Sequence, residues 1–89
     1  MSSKLYEHHD VWRRLSDSEL VRYRCFRVLP NSGYCVQNAD SYYFPFDDEQ
    51  EEFLGKHFLE LLIEEAPDIR SGTHDTLEEA IQAFERDYE

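Results

Sequence analysis

Leu20-Val21-Arg22-Tyr23-Arg24-Cys25-Phe26-Arg27-Val28-Leu29, followed by Pro30-Asn31-Ser32-Gly33 and Tyr34-Cys35-Val36-Gln37-Asn38-Ala39, decides how this chain folds. The first run is rich in β-branched and aromatic residues and holds neither Gly nor Pro, so it reads as a strand. The next four residues read as a turn: Pro fixes φ, while Asn and Gly tolerate the left-handed conformation. Tyr34 to Ala39 is the return strand of a β-hairpin. A four-residue loop sets Leu29 opposite Tyr34. One face then carries Val21, Tyr23, Cys25, Arg27 and Leu29 with Tyr34, Val36 and Asn38. The other carries Arg22, Arg24, Phe26 and Val28 with Cys35, Gln37 and Ala39. The first face is the more apolar and is expected to meet the core, leaving the second open. Cys25 and Cys35 fall on opposite faces, which predicts two free thiols and no disulfide.

Beyond the hairpin, Asp40-Ser41 can turn the chain into a short third strand, Tyr42-Tyr43-Phe44, which Pro45 ends. Asp47 or Asp48 caps a helix with Glu49, Glu51 and Glu52 in its first turns, where they complement the helix dipole. Phe53, Leu54, His57, Phe58, Leu61 and Leu62 form its apolar stripe. Pro67 terminates it and Asp68–Asp75 is a loop. Thr76 and Glu79 form a capping box for a last helix with a stripe of Leu77, Ala80, Ile81, Phe84 and Tyr88. Upstream of the hairpin, Leu5, His9, Trp12 and Leu15 are spaced as on a short helix over residues 4–15, capped by Ser2 or Ser3. The predicted order is (α)ββ(β)αα, a single α+β domain over residues 1–89 with residues 1–19 as an N-terminal segment.

The chain has 89 residues, 40% of them hydrophobic, and thirteen aromatics, enough to build one core. No apolar run approaches the ~18–20 residues that span a bilayer. The opening residues lack the apolar stretch of a secretory signal, and two cysteines are too few for a disulfide scaffold. The expectation is a cytoplasmic protein with no membrane contact.

Charge is unevenly placed. Residues 1–46 hold five acids and six bases, a net of +1, whereas residues 47–89 hold fifteen acids and three bases, a net of −12. Such a field repels nucleic acid and attracts basic proteins. The acids can serve solubility alone, or they can steer a basic partner. With no nucleophile elbow, phosphate loop or acid–base motif present, the expected function is a non-enzymatic acidic interaction module. It would act as an inhibitor, an immunity-like protein or a nucleic-acid mimic. Its candidate contacts are Tyr42, Tyr43, Asp47, Asp48, Glu49, Glu51 and Glu52, in which aromatics anchor and acids steer. The alternative is a nucleic-acid platform on the open sheet face, with Arg22, Arg24 and Phe26 interleaving charge and rings; those arginines can equally pair with the acidic helices. His8-His9-Asp10 offers three adjacent ligand types, but neighbouring side chains rarely converge on one ion, so neither metal nor cofactor is expected. Cys25 with a histidine is a conceivable nucleophile–base pair supported by composition only.

Self-repulsion among the clustered acids is expected to make the melting temperature rise from low to moderate salt in scanning calorimetry. A flat response would mean that Arg13, Arg14, Arg22, Arg24 and Arg27 already neutralise the acids internally.

Overall fold

A computed structural model describes residues 4–87. Three antiparallel strands come first: β1 (Leu5–Arg14), β2 (Glu19–Leu29) and β3 (Tyr34–Tyr43), side by side in that order. Helices α1 (Asp48–Glu64), α2 (Pro67–Ser71) and α3 (Leu77–Asp87) follow. The expected α+β class is what forms, but the N-terminal segment is a strand, not a helix. Its pairing with β2 runs unbroken from Leu5↔Leu29 to Arg14↔Leu20. Those ten positions give β2 a backbone partner along its free edge, which outweighs the weak helical spacing of four apolar residues. Ser16-Asp17-Ser18 is the β1–β2 turn, closed by the Leu15 amide donating to the Glu19 carbonyl at 3.0 Å. The proposed caps Ser2 and Ser3, and Tyr88 on the last stripe, lie outside the described residues.

The β2–β3 register differs from the expected one by two. Arg27 faces Tyr34 and Phe26 faces Cys35, so the connection is longer than four residues. It is held by the Val28 amide on the Gly33 carbonyl (2.8 Å) and the Ser32 amide on the Val28 carbonyl (3.0 Å). Gly33 has a φ of +93°, and a Cβ there would lie 2.7 Å from the His74 carbonyl oxygen, so only glycine fits. An even shift leaves side chains on their expected faces near the turn, and Cys25 and Cys35 are free and on opposite faces as predicted. Farther on, a bulge lets Cys25 pair with Val36 but Arg24 with Asn38, leaving Gln37 as the extra residue. Asn38 and Ala39 therefore exchange the faces assigned to them. The predicted turn at Asp40-Ser41 is absent: both residues pair with β2, and Tyr42 and Tyr43 continue β3 rather than starting another strand.

The sheet is covered on both faces, which corrects the expectation of one open face. On one side α3 packs Ala80 and Ile81 onto Tyr23, Cys25 and Val36, flanked by Val11, Val21, Tyr34, Leu77 and Phe84. On the other, α1 lays Phe58 and Leu62 over Phe26, Val28, Cys35 and Tyr6, with Phe26 and Phe58 stacked at 5.7 Å. Asp47 is the α1 cap, its Oδ1 accepting from the Glu49 amide at 2.9 Å, and Thr76 Oγ1 accepts from the Glu79 amide at 3.1 Å. Within the predicted 68–75 loop, residues up to Ser71 belong to α2, which begins at the buried Pro67. Asp68 of α2 accepts from Lys4 Nζ (2.7 Å) and the Tyr6 hydroxyl (2.9 Å), tying β1 to the helical half.

Between the sheet and α1 lies an ion pair sealed from solvent. Arg24 Nε donates to Asp40 Oδ2 at 2.8 Å, and the guanidinium lies 4.7 Å from the centre of the Phe58 ring. Arg24 Nη2 has no hydrogen-bond partner among the described residues. Removing Asp40 leaves a buried cation uncompensated, so Asp40→Ala is expected to lower the unfolding free energy by about 3–5 kcal/mol, measured by urea denaturation.

Candidate interaction surface

Where β3 leaves the sheet, the chain exposes aromatic side chains. Tyr43, Phe44 and Phe46 are 57%, 66% and 58% exposed, and the Phe44 and Phe46 rings meet edge to face at 5.8 Å. Pro45 cannot continue a β ladder, so these rings lie beyond the reach of sheet packing. The Phe44 amide donates to the Ser18 carbonyl at 2.8 Å, anchoring the start of the corner to the β1–β2 turn. Asp47 then opens α1, and Asp48, Glu49, Glu51 and Glu52 crowd its first turns, all exposed. Phe53, one helical turn after Glu49, is exposed as well. Apolar rings next to a concentration of carboxylates combine an adhesive surface with a steering field.

Of the predicted contacts, Tyr43, Asp48, Glu49 and Glu52 lie together at this corner. Tyr42 does not: it is buried on the α1 face of the sheet, 5.5 Å from the Trp12 ring, with its hydroxyl accepting from Arg22. The side chain of Asp47 is engaged in the cap, and Glu51 pairs with Arg22 at 3.2 Å. The sequence pattern does not single out Phe44 and Phe46, and it places Phe53 and His57 on the buried stripe. Both residues of that last pair are instead exposed, with their rings stacked at 6.1 Å. The available signal was Pro45 itself, which removes the flanking phenylalanines from the sheet.

The arginine face is differently arranged from the expected platform. Arg24 and Phe26 are buried beneath α1. Arg22 binds Asp10, Glu51 and the Tyr42 hydroxyl and lies over the Trp12 ring at 5.2 Å. The hydrogen bond with Asp10 raises the already high pKa of Arg22 further. Burial is the largest single influence on Asp10 and works against its ionisation, but the hydrogen bond from Arg22 together with the neighbouring His8, Arg22 and Arg24 outweighs it and holds the carboxyl below its ordinary range. Arg13 pairs with Glu85 of α3 at 2.7 Å, and Arg27 with Glu7 at 3.1 Å. The arginines are thus largely engaged with carboxylates of the same chain.

His8 and His9 point to opposite faces of β1, as the strand period requires. His9 meets Glu7 at 2.7 Å, while His8 lies 3.0 Å from Asp10 and against the rings of Phe26 and Phe58. Among the described residues no three His, Cys, Asp or Glu side chains converge as a metal site. Cys25 is fully buried, and burial pushes its thiol up to about 12; Cys35 is raised to about 11 for the same reason. No helix among the described residues is long and apolar enough to cross a membrane. Compared with protein-family models, curated proteins and solved structures, the chain matches none.

Burial lowers the pKa of His8, with Arg22 and Arg24 adding to the effect and Asp10 opposing it. The unfolded chain therefore binds a proton at this position more readily than the folded one, and stability falls as pH drops through the ordinary histidine value of about 6.5. Urea midpoints measured from neutral to mildly acidic pH are expected to decline, and His8→Phe to flatten that decline.

Proposed function

We propose that this chain is a non-catalytic interaction module that docks on a basic protein through the corner from Tyr43 to Glu52. The observation that carries this reading is the pair of exposed rings, Phe44 and Phe46, beside the acid-loaded start of α1. Exposed aromatics supply the desolvated anchor of an interface, and carboxylates around them accelerate encounter with a cationic surface. The net charge of −12 on residues 47–89 extends that field beyond the corner. Neutralising a basic enzyme or toxin, or occupying the groove of a nucleic-acid-binding protein, would use the same two elements. A reducing cytoplasm suits two buried thiols that remain unpaired.

The test is capture from the native lysate on immobilised protein, with stepwise salt elution and mass spectrometry. A single basic protein released by salt is the expected result. Phe44→Ser with Phe46→Ser is then expected to weaken its binding by about tenfold or more through faster dissociation, and Glu49→Lys with Glu52→Lys to slow association and flatten the salt dependence. Binding left unchanged at low salt by the charge reversal would overturn this reading. Recovery of nucleic acid whose binding is lost in Arg22→Ala would move the function to the arginine side of the sheet.

A further inference from the structure

The two edges of the sheet are treated differently. The outer edge of β3 meets the helical half: Tyr34 and His74 exchange amide–carbonyl bonds at 2.7 and 2.8 Å, and α2 packs alongside. Among the described residues, β1 has a strand partner on its β2 side only. It is ten residues long and contains no proline, glycine or bulge, devices by which edge strands commonly avoid pairing. Its charges are ordered, with Glu7 and Asp10 preceding Arg13 and Arg14. A copy of the same strand running antiparallel can therefore bring Glu7 of one strand near Arg13 of the other.

We infer that β1 pairs with β1 of a second copy about a two-fold axis normal to the sheet, joining two three-stranded sheets into one of six strands. Rotation about that axis keeps the α1 and α3 faces on their own sides, so residues opposite each other must share a face. Centring the pairing on His9 satisfies this. Tyr6 then lies opposite Trp12 of the second copy, covering an indole that is 50% exposed in the single chain. Glu7 lies diagonal to Arg13 of the second copy. Leu5, 67% exposed, lies opposite Arg13 on the α3 face. An open groove of about 540 Å³, lined by Val11, Arg13, Tyr23, Leu77 and Ile81, runs beside that position. Leu5 of the second copy closes its outer wall, and the two-fold repeats the fit. The copies approach through strands of the near-neutral half, with net charge +1 over residues 1–46, rather than through the first turns of α1.

Sedimentation velocity of the full chain over a concentration series tests this, combined with Trp12 fluorescence and amide hydrogen exchange. The expected result is a dimer whose formation shifts the emission of the single tryptophan to the blue and slows exchange of β1 amides. Leu5→Lys removes the apolar closure at an exposed position and sets a like charge opposite Arg13 of the second copy, and His9→Lys sets like charges across the axis while placing a cation beside Glu7. Each is expected to weaken the dimer by about tenfold or more with the melting temperature of the dilute monomer unchanged. A monomer at about 1 mM chain would overturn the inference, since an affinity weaker than that is negligible. A dimer indifferent to both variants, or one leaving β1 exchange and Trp12 emission unaltered, would overturn it too. So would β1 protection that appears only when a different protein is added. Neither variant touches Phe44, Phe46, Glu49 or Glu52, so binding to a basic partner is scored separately.

Discussion

Strand β2 must satisfy two edges and bury two faces at once, and the rest of the chain is arranged around that requirement. Its backbone groups are taken up by β1 on one side and β3 on the other. Its side chains alternate between two apolar clusters: Tyr23 and Cys25 toward α3, Phe26 and Val28 toward α1. A strand with a covered face on either side reads as a run of large apolar residues with few interruptions, as Tyr23 to Val28 does. The interruptions are arginines. Arg24, with no route to water, draws Asp40 and the face of Phe58 around it. Burial of that cation ties the position of α1 to the register of β3.

The hairpin, the caps at Asp47 and Thr76 and the stop before Pro67 were legible because each rests on local chemistry: a turn residue, a side chain that accepts an amide, or a missing N–H. β1 was obscured because it is an edge strand with polar residues on both faces. Its alternation is visible only once β2 supplies the pairing partner. The bulge at Gln37 had no local signature. Its side chain donates to the Phe58 carbonyl of α1 at 3.0 Å, so the extra residue belongs to a long-range contact. At the candidate surface the carboxylates were plain in the sequence. The exposure of Phe44 and Phe46 was not, since it depends on the chain turning away from the sheet after Tyr43.

The arginines and carboxylates divide the molecule into two electrostatic regions. Arg22, Arg13 and Arg27 are held by Asp10, Glu51, Glu85 and Glu7, so much of the positive charge of the strands is spent on holding strands and helices together. The acids of the first turns of α1 greatly outnumber the cations that reach them. The field at a distance therefore follows the surplus on the helices, even though the sheet carries most of the arginines.

Helix α1 reaches the sheet through half-buried residues, and none of its seventeen residues is fully enclosed. Phe58 and Leu62 rest on the sheet cluster, and the Gln37 amide grips the Phe58 carbonyl near the middle of the helix. Away from that grip Phe53, Leu59 and Ile63 face water. A helix with no enclosed residue costs less to open than the strands beneath it, and its amides and its lone tryptic bond, after Lys56, become accessible before the sheet yields. Opening it would uncover Phe26 and Cys35, turning a sealed thiol into a reporter of that excursion.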